Sequence, residues 1–157
     1  MRRFSLAIAW LLSFAGAQVS AEPIAGRLGD LVYDSARWQV ERVDNGYRVT
    51  PVGGDRSDVS VFVTILPGEV AACSDDALSK GAGLSQDPEI LVLRKPGFDI
   101  RVVSGWTGCR NARPPSVLAC TTYKGRVYRF DALVDGCRGG PGFGDGALAF
   151  LDGLSAR

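Results

Sequence analysis

The sequence predicts an α+β domain: an antiparallel sheet of about six to seven strands, two short helices and disulfide staples. Three observations carry this. Short runs of β-branched and aromatic residues recur between turn signals, and two stretches have helical composition or spacing. The third is cysteine usage: Cys73, Cys109, Cys120 and Cys137 make an even set in a chain that opens like an exported one.

That opening comes first in order. Arg2 and Arg3 precede an apolar run from Phe4 to Ala15, and Val19-Ser20-Ala21 offers the small residues that a signal peptidase needs. The competing reading is a membrane anchor, but the run is short of the about 20 residues that a spanning helix needs. Residues 1–21 therefore read as a cleaved signal peptide. Residues 22–157 read as one soluble domain, periplasmic or secreted, with no transmembrane segment.

After a short lead-in, Trp38 and Val40 alternate with polar residues, Asp44-Asn45-Gly46 turns the chain, and Tyr47 and Val49 alternate back, which predicts a hairpin. The polar cluster Gly53 to Asp58 leads into DVSVFVTILPG, a β-branched run apolar on both faces that stops at Pro67-Gly68. It reads as a central strand covered on both sides. Ala71 to Leu84 has the composition of a short helix, with Ser74 as N-cap and Asp75 and Asp76 in its first turn, where the helix dipole favours them. EILVLR and FDIRVVSGW pair around Lys95-Pro96-Gly97.

Next comes the stretch around which the chain is organised. Tyr123-Lys124-Gly125-Arg126 turns SVLACTTY into RVYRFDALV and sets a register in which residue 123 faces 126, 121 faces 128, 119 faces 130 and 117 faces 132. Val117, Ala119, Thr121, Tyr123, Tyr128, Phe130 and Ala132 then share the core face, and Arg129 lies opposite Cys120 on the other. A glycine-rich connector follows Cys137. Ala147, Phe150, Leu151 and Leu154 keep i, i+3, i+4, i+7 spacing, so the last element is an amphipathic helix.

Four cysteines allow three pairings. The reading preferred here joins Cys109 to Cys120, closing a Pro-containing loop before the hairpin, and Cys73 to Cys137. A zinc site is disfavoured because no C-x₂₋₄-C knuckle and no histidine are present. The order of elements resembles that of the Mog1/PsbP-like domains, which begin with a Trp-containing strand such as ARWQV, place a helix after the early hairpin, and end with a helix such as ALAFLDGL packed on the sheet. The resemblance implies a non-catalytic assembly or binding role.

The count of zero histidines removes Ser-His-Asp and Cys-His nucleophile systems and the usual neutral-pH proton shuttle, so no enzyme is expected. Without a C-x-x-C, redox catalysis is disfavoured too. The glycine-rich loop lacks the spacing of a phosphate-binding fingerprint. Charge is unevenly spread: Glu22 to Leu93 holds 6 basic and 12 acidic residues, and Arg94 to Arg138 holds 9 basic and 3 acidic. Mutual neutralisation across one domain is the preferred reading, ahead of two oppositely charged surfaces.

The favoured partner surface is the basic hairpin end, with Trp106, Arg110, Arg113, Tyr123, Lys124, Arg126 and Arg129 meeting a periplasmic protein or an anionic polysaccharide. No cofactor is needed. Nucleic acid is disfavoured by export and near-neutral charge. The alternative is a carboxylate-based carrier of Ca²⁺ or a lanthanide ion, dimeric where two protomers share the site, using Asp55, Asp58, Asp75, Asp76, Asp87 and Glu89.

Overall fold

The computed structural model describes residues 25–54, 60–68, 73–81, 88–106, 115–132 and 143–157. The leader read over residues 1–21 lies outside them. Strands β1 (Ala25–Leu28) and β2 (Leu31–Asp34) form a small hairpin, and β3 (Trp38–Val43), β4 (Gly46–Pro51) and β5 (Val61–Pro67) follow. Helix α1 (Asp75–Gly81) precedes β6 (Glu89–Lys95), β7 (Phe98–Trp106), β8 (Pro115–Tyr123) and β9 (Arg126–Ala132). Helix α2 (Phe143–Asp152) and the two-residue strand β10 (Ser155–Ala156) complete the order.

Seven strands make one antiparallel sheet in the order β3-β4-β5-β9-β8-β7-β6, and β1-β2-β10 make a second. The sheet size and the two helices match the expectation, but the domain is mostly β instead of α+β. The helices have only 7 and 10 residues. Three strands that were not foreseen, β1, β2 and β10, add to the sheet content.

The central hairpin has the register its turn dictates, with Tyr123 opposite Arg126, Thr121 opposite Tyr128, Ala119 opposite Phe130 and Val117 opposite Ala132. Lys124 and Gly125 both have positive φ, 50° and 71°, the backbone that matches the twist of a two-residue hairpin. From that register the two sheet faces follow. One face carries Val117, Ala119, Tyr128, Phe130, Ile100 and Val102 and is covered by Phe150, Leu151 and Leu154 of α2 and its following residues. Phe150 meets the Trp38 ring edge-on at 5.3 Å and the Phe130 ring at 6.3 Å. Thr121, the buried polar residue of this face, donates its hydroxyl to the Asp99 carbonyl at 2.6 Å.

The opposite face holds a smaller core of Cys73, Leu78, Val103, Leu118, Cys120 and Val127. Helix α1 lies over β7 and β8 there. Ser74 caps it as expected, its Oγ accepting the Ala77 N–H at 3.3 Å. Strand β5 is well covered on the α2 face and only partly on the other, so the expectation of cover on both sides holds in part. Val61 and Val63 are buried, Phe62 is half-buried and Leu66 is exposed.

The disulfide corrects the expected pairing. Cys73 bonds Cys120, with Cα atoms 5.3 Å apart. Strand parity is the cause: Cys120 sits opposite Arg101 on β7 and Arg129 on β9, which turns its side chain toward the α1 face, where Cys73 enters the helix. Cys109 and Cys137 lie outside the described residues.

Candidate functional site

Three turns meet at one end of the large sheet. Strand β5 pairs with β4 only from Val61 to Val63, whereas its pairing with β9 runs on from Phe62 to Pro67. The stretch past Val63 leaves a notch between the β3–β4 turn and the β8–β9 turn. Ile65, Leu66 and Pro67 line it on one side, Asp44, Asn45, Gly46 and Tyr47 on another, and Lys124, Gly125 and Arg126 on a third. Gly29, in the β1–β2 turn, closes the end. The cleft has a volume of about 530 Å³, within the usual range of small-ligand sites.

Two glycines permit this shape. A side chain at Gly46 would run into the Val63 carbonyl, and a Cβ at Gly29 would lie 2.9 Å from the Tyr128 hydroxyl. Gly29 also has φ +65°, a conformation that L side chains rarely adopt.

Electrostatically the cleft has an excess of cations. Arg42, Lys124 and Arg126 line it against the single carboxylate of Asp44. Arg126 Nη1 lies 3.5 Å from Asp30 Oδ2, but both side chains are substantially solvated, so the pair is worth at most about 1 kcal/mol and leaves the guanidinium available. Lys124 Nζ lies 5.3 Å from the Tyr123 ring centroid. Arg42, exposed at the end of β3, has no ion-pair partner among the described residues. Guanidinium forks with solvated tips favour planar oxyanions such as carboxylates.

The residues of the expected basic surface are distributed otherwise. Lys124 and Arg126 belong to the cleft. Tyr123 does not line it: its ring packs on Phe98 at 5.5 Å and its hydroxyl donates to the Arg157 carbonyl at 3.2 Å. Arg129 is on the α1 face, 3.9 Å from Asp131. Trp106 pairs with Pro115 at the other end of β8, about 26 Å from Tyr123 at the usual rise per strand residue. Arg110 and Arg113 lie outside the described residues.

Of the acidic set, Asp55, Asp58 and Asp87 lie outside the described residues as well. Asp75 and Asp76 open α1, and Asp75 Oδ1 is held by Arg101 Nη1 at 2.6 Å; Glu89 begins β6 and is exposed. Among the described residues no group of three or more His, Cys, Asp or Glu side chains is placed to hold a metal ion.

Among the described residues, Asp131 has a resolved shift. Desolvation raises its carboxyl above the ordinary value and Arg129 partly offsets this. In the sheet it stands between Phe62 on β5 and Leu118 on β8, which explains the loss of water. In comparison with known proteins, no family model matches the chain and no curated protein matches it.

Sequence reasoning found Lys124 and Arg126 through their turn but missed Arg42, Asp44, Tyr47 and Gly29 as site residues. Asp44-Asn45-Gly46 was legible as a turn. Its proximity to Lys124 depends on where β5 outruns β4, which no local pattern encodes.

Proposed function

We propose that this protein is a non-catalytic, exported binding domain that captures an anionic saccharide in the cleft between its hairpin tips. The observation that carries the reading is the convergence of Arg42, Lys124 and Arg126 on one concave site of about 530 Å³. A concave site of this size suits a short length of carboxylated sugar chain better than a flat surface. Export is supported by the leader-like first 21 residues and by the Cys73–Cys120 bridge, since disulfides persist in oxidising compartments. No described helix is long and apolar enough to cross a membrane. The lack of histidine, which removes the usual neutral-pH proton shuttle, favours binding over catalysis.

Affinity electrophoresis tests this reading. Migration of the oxidised protein through gels containing alginate should be retarded, and gels containing a neutral polysaccharide should leave it unchanged. The Arg42→Ala/Lys124→Ala double variant should migrate alike in both. Equal retardation of variant and wild type would overturn the assignment to this cleft.

A further inference from the structure

Strand β6 is the edge of the large sheet on the side remote from the cleft, and among the described residues no strand pairs with its outer edge. Exposed sheet edges are normally blunted by charges, prolines or bulges, because their unpaired N–H and C=O groups are a template for another strand. The other edge follows that rule: β3 carries Gln39, Glu41 and Arg42 among its six residues. Strand β6 does not. Its pairing with β7 runs unbroken from Glu89 to Lys95, and its centre is Ile90-Leu91-Val92-Leu93. Ile90 and Val92, on the α1 face, are 44% and 42% exposed.

The charges at its ends determine what fits this edge. Glu89 stands at the start and Arg94 and Lys95 at the finish, so the strand is self-complementary only when a second copy runs antiparallel to it. We infer that the protein forms a two-fold dimer through β6, with Val92 of one protomer opposite Val92 of its partner, extending the seven-stranded sheet into one continuous sheet of both protomers.

In that register Leu91 faces Leu93 of the other copy and Glu89 faces Lys95. The Lys95 ammonium, already 2.6 Å from Asp152 Oδ1, would then lie between two carboxylates. A parallel arrangement would instead oppose Glu89 to Glu89 and Arg94 to Arg94. A shift by one residue is excluded, because it would place the two protomers' helices on opposite faces and break the side-chain parity of the shared sheet. Pro88 and Pro96 bracket the strand and limit the pairing to its seven residues.

The test is the mass of the oxidised protein by size-exclusion chromatography with light scattering over a range of concentrations. The dimer is expected. Val92→Lys, which opposes two ammonium groups on the axis, should raise its dissociation constant at least tenfold while far-UV circular dichroism and alginate retardation stay as in wild type. Should Val92→Lys fail to fold, cysteine pairing still decides: a mixture of Ile90→Cys and Arg94→Cys proteins should cross-link under oxidation, and Ile90→Cys alone should not. A monomer at every concentration would overturn the inference. So would cross-linking of Ile90→Cys alone, or an edge occupied by a different protein in place of a second copy.

Discussion

The Tyr128 hydroxyl accepts the main-chain N–H of Asp30 at 3.0 Å, joining residues 98 positions apart in the chain. Tyr128 is fully buried, so its hydroxyl needs such a partner, and the bond fastens the β1–β2 turn to the central hairpin. That turn is also one wall of the cleft, through Gly29. The small sheet thus has a positional role: it closes one end of the cleft.

Removing the bond should be felt as lost stability. Tyr128→Phe keeps the ring and strands the Asp30 donor, with an expected cost of about 1 kcal/mol in urea unfolding. Gly29→Ala should cost more, because it adds a positive-φ strain to a steric conflict with the same hydroxyl. Equal stabilities for wild type and Tyr128→Phe would show that this contact does not hold the turn.

The aromatic cluster is the second point of sensitivity. Phe150 is fully buried between Trp38 and Phe130, and Phe150→Ala removes the largest side chain that α2 sets into the core. The expected loss is about 3 to 5 kcal/mol. Near-ultraviolet circular dichroism should lose much of its Trp38 signal in the variant even where far-ultraviolet spectra show the fold retained.

Asp131 makes stability depend on pH in an unusual direction. Its folded carboxyl titrates above its unfolded value, so the native state binds more protons between the two. Its contribution is therefore fully present below the unfolded value and is lost as pH rises through the folded one. Asp131→Asn, which cannot ionise, should be more stable than wild type at pH 7, and the advantage should shrink at pH 3. Thermal unfolding at both pH values checks this, and an Asn variant less stable at pH 7 would reverse the sign.

Disulfide mapping checks the topology. Peptides released without reduction should contain Cys73 joined to Cys120, which leaves Cys109 and Cys137 as the remaining pair. In the chain-entropy treatment the observed bridge, spanning 47 positions, contributes about 4 kcal/mol. A Cys109–Cys120 or Cys73–Cys137 peptide would contradict the observed bridge.

Where the chain makes its own contacts, the sequence was readable. The turn Tyr123-Lys124-Gly125-Arg126 determines its register locally, and that register places Tyr128 and Phe130 on one face and Cys120 and Arg129 on the other. Ser74 and the spacing of Phe150, Leu151 and Leu154 likewise announce two helices. The β1–β2 hairpin has only a weak local signal: Gly29-Asp30 is a two-residue turn between Leu28 and Leu31, but strands of four residues give too little alternation to stand out. Loop length alone does not encode the disulfide pairing. Strand parity turns Cys120 toward the α1 face, where Cys73 lies. The cleft could not be read at all, since Arg42 and Lys124 approach each other only through the order of β3, β4, β5 and β9.

The measurement closest to the proposed function is a calorimetric titration of the oxidised protein with trigalacturonate, a short carboxylated sugar. One site per chain is expected, with affinity falling as salt rises and falling about tenfold in Arg42→Ala, the equivalent of about 1.4 kcal/mol for one charge-assisted contact. Heat that is absent in the wild type, or unchanged in Arg42→Ala and Lys124→Ala alike, would contradict an anion-binding cleft between the hairpin tips.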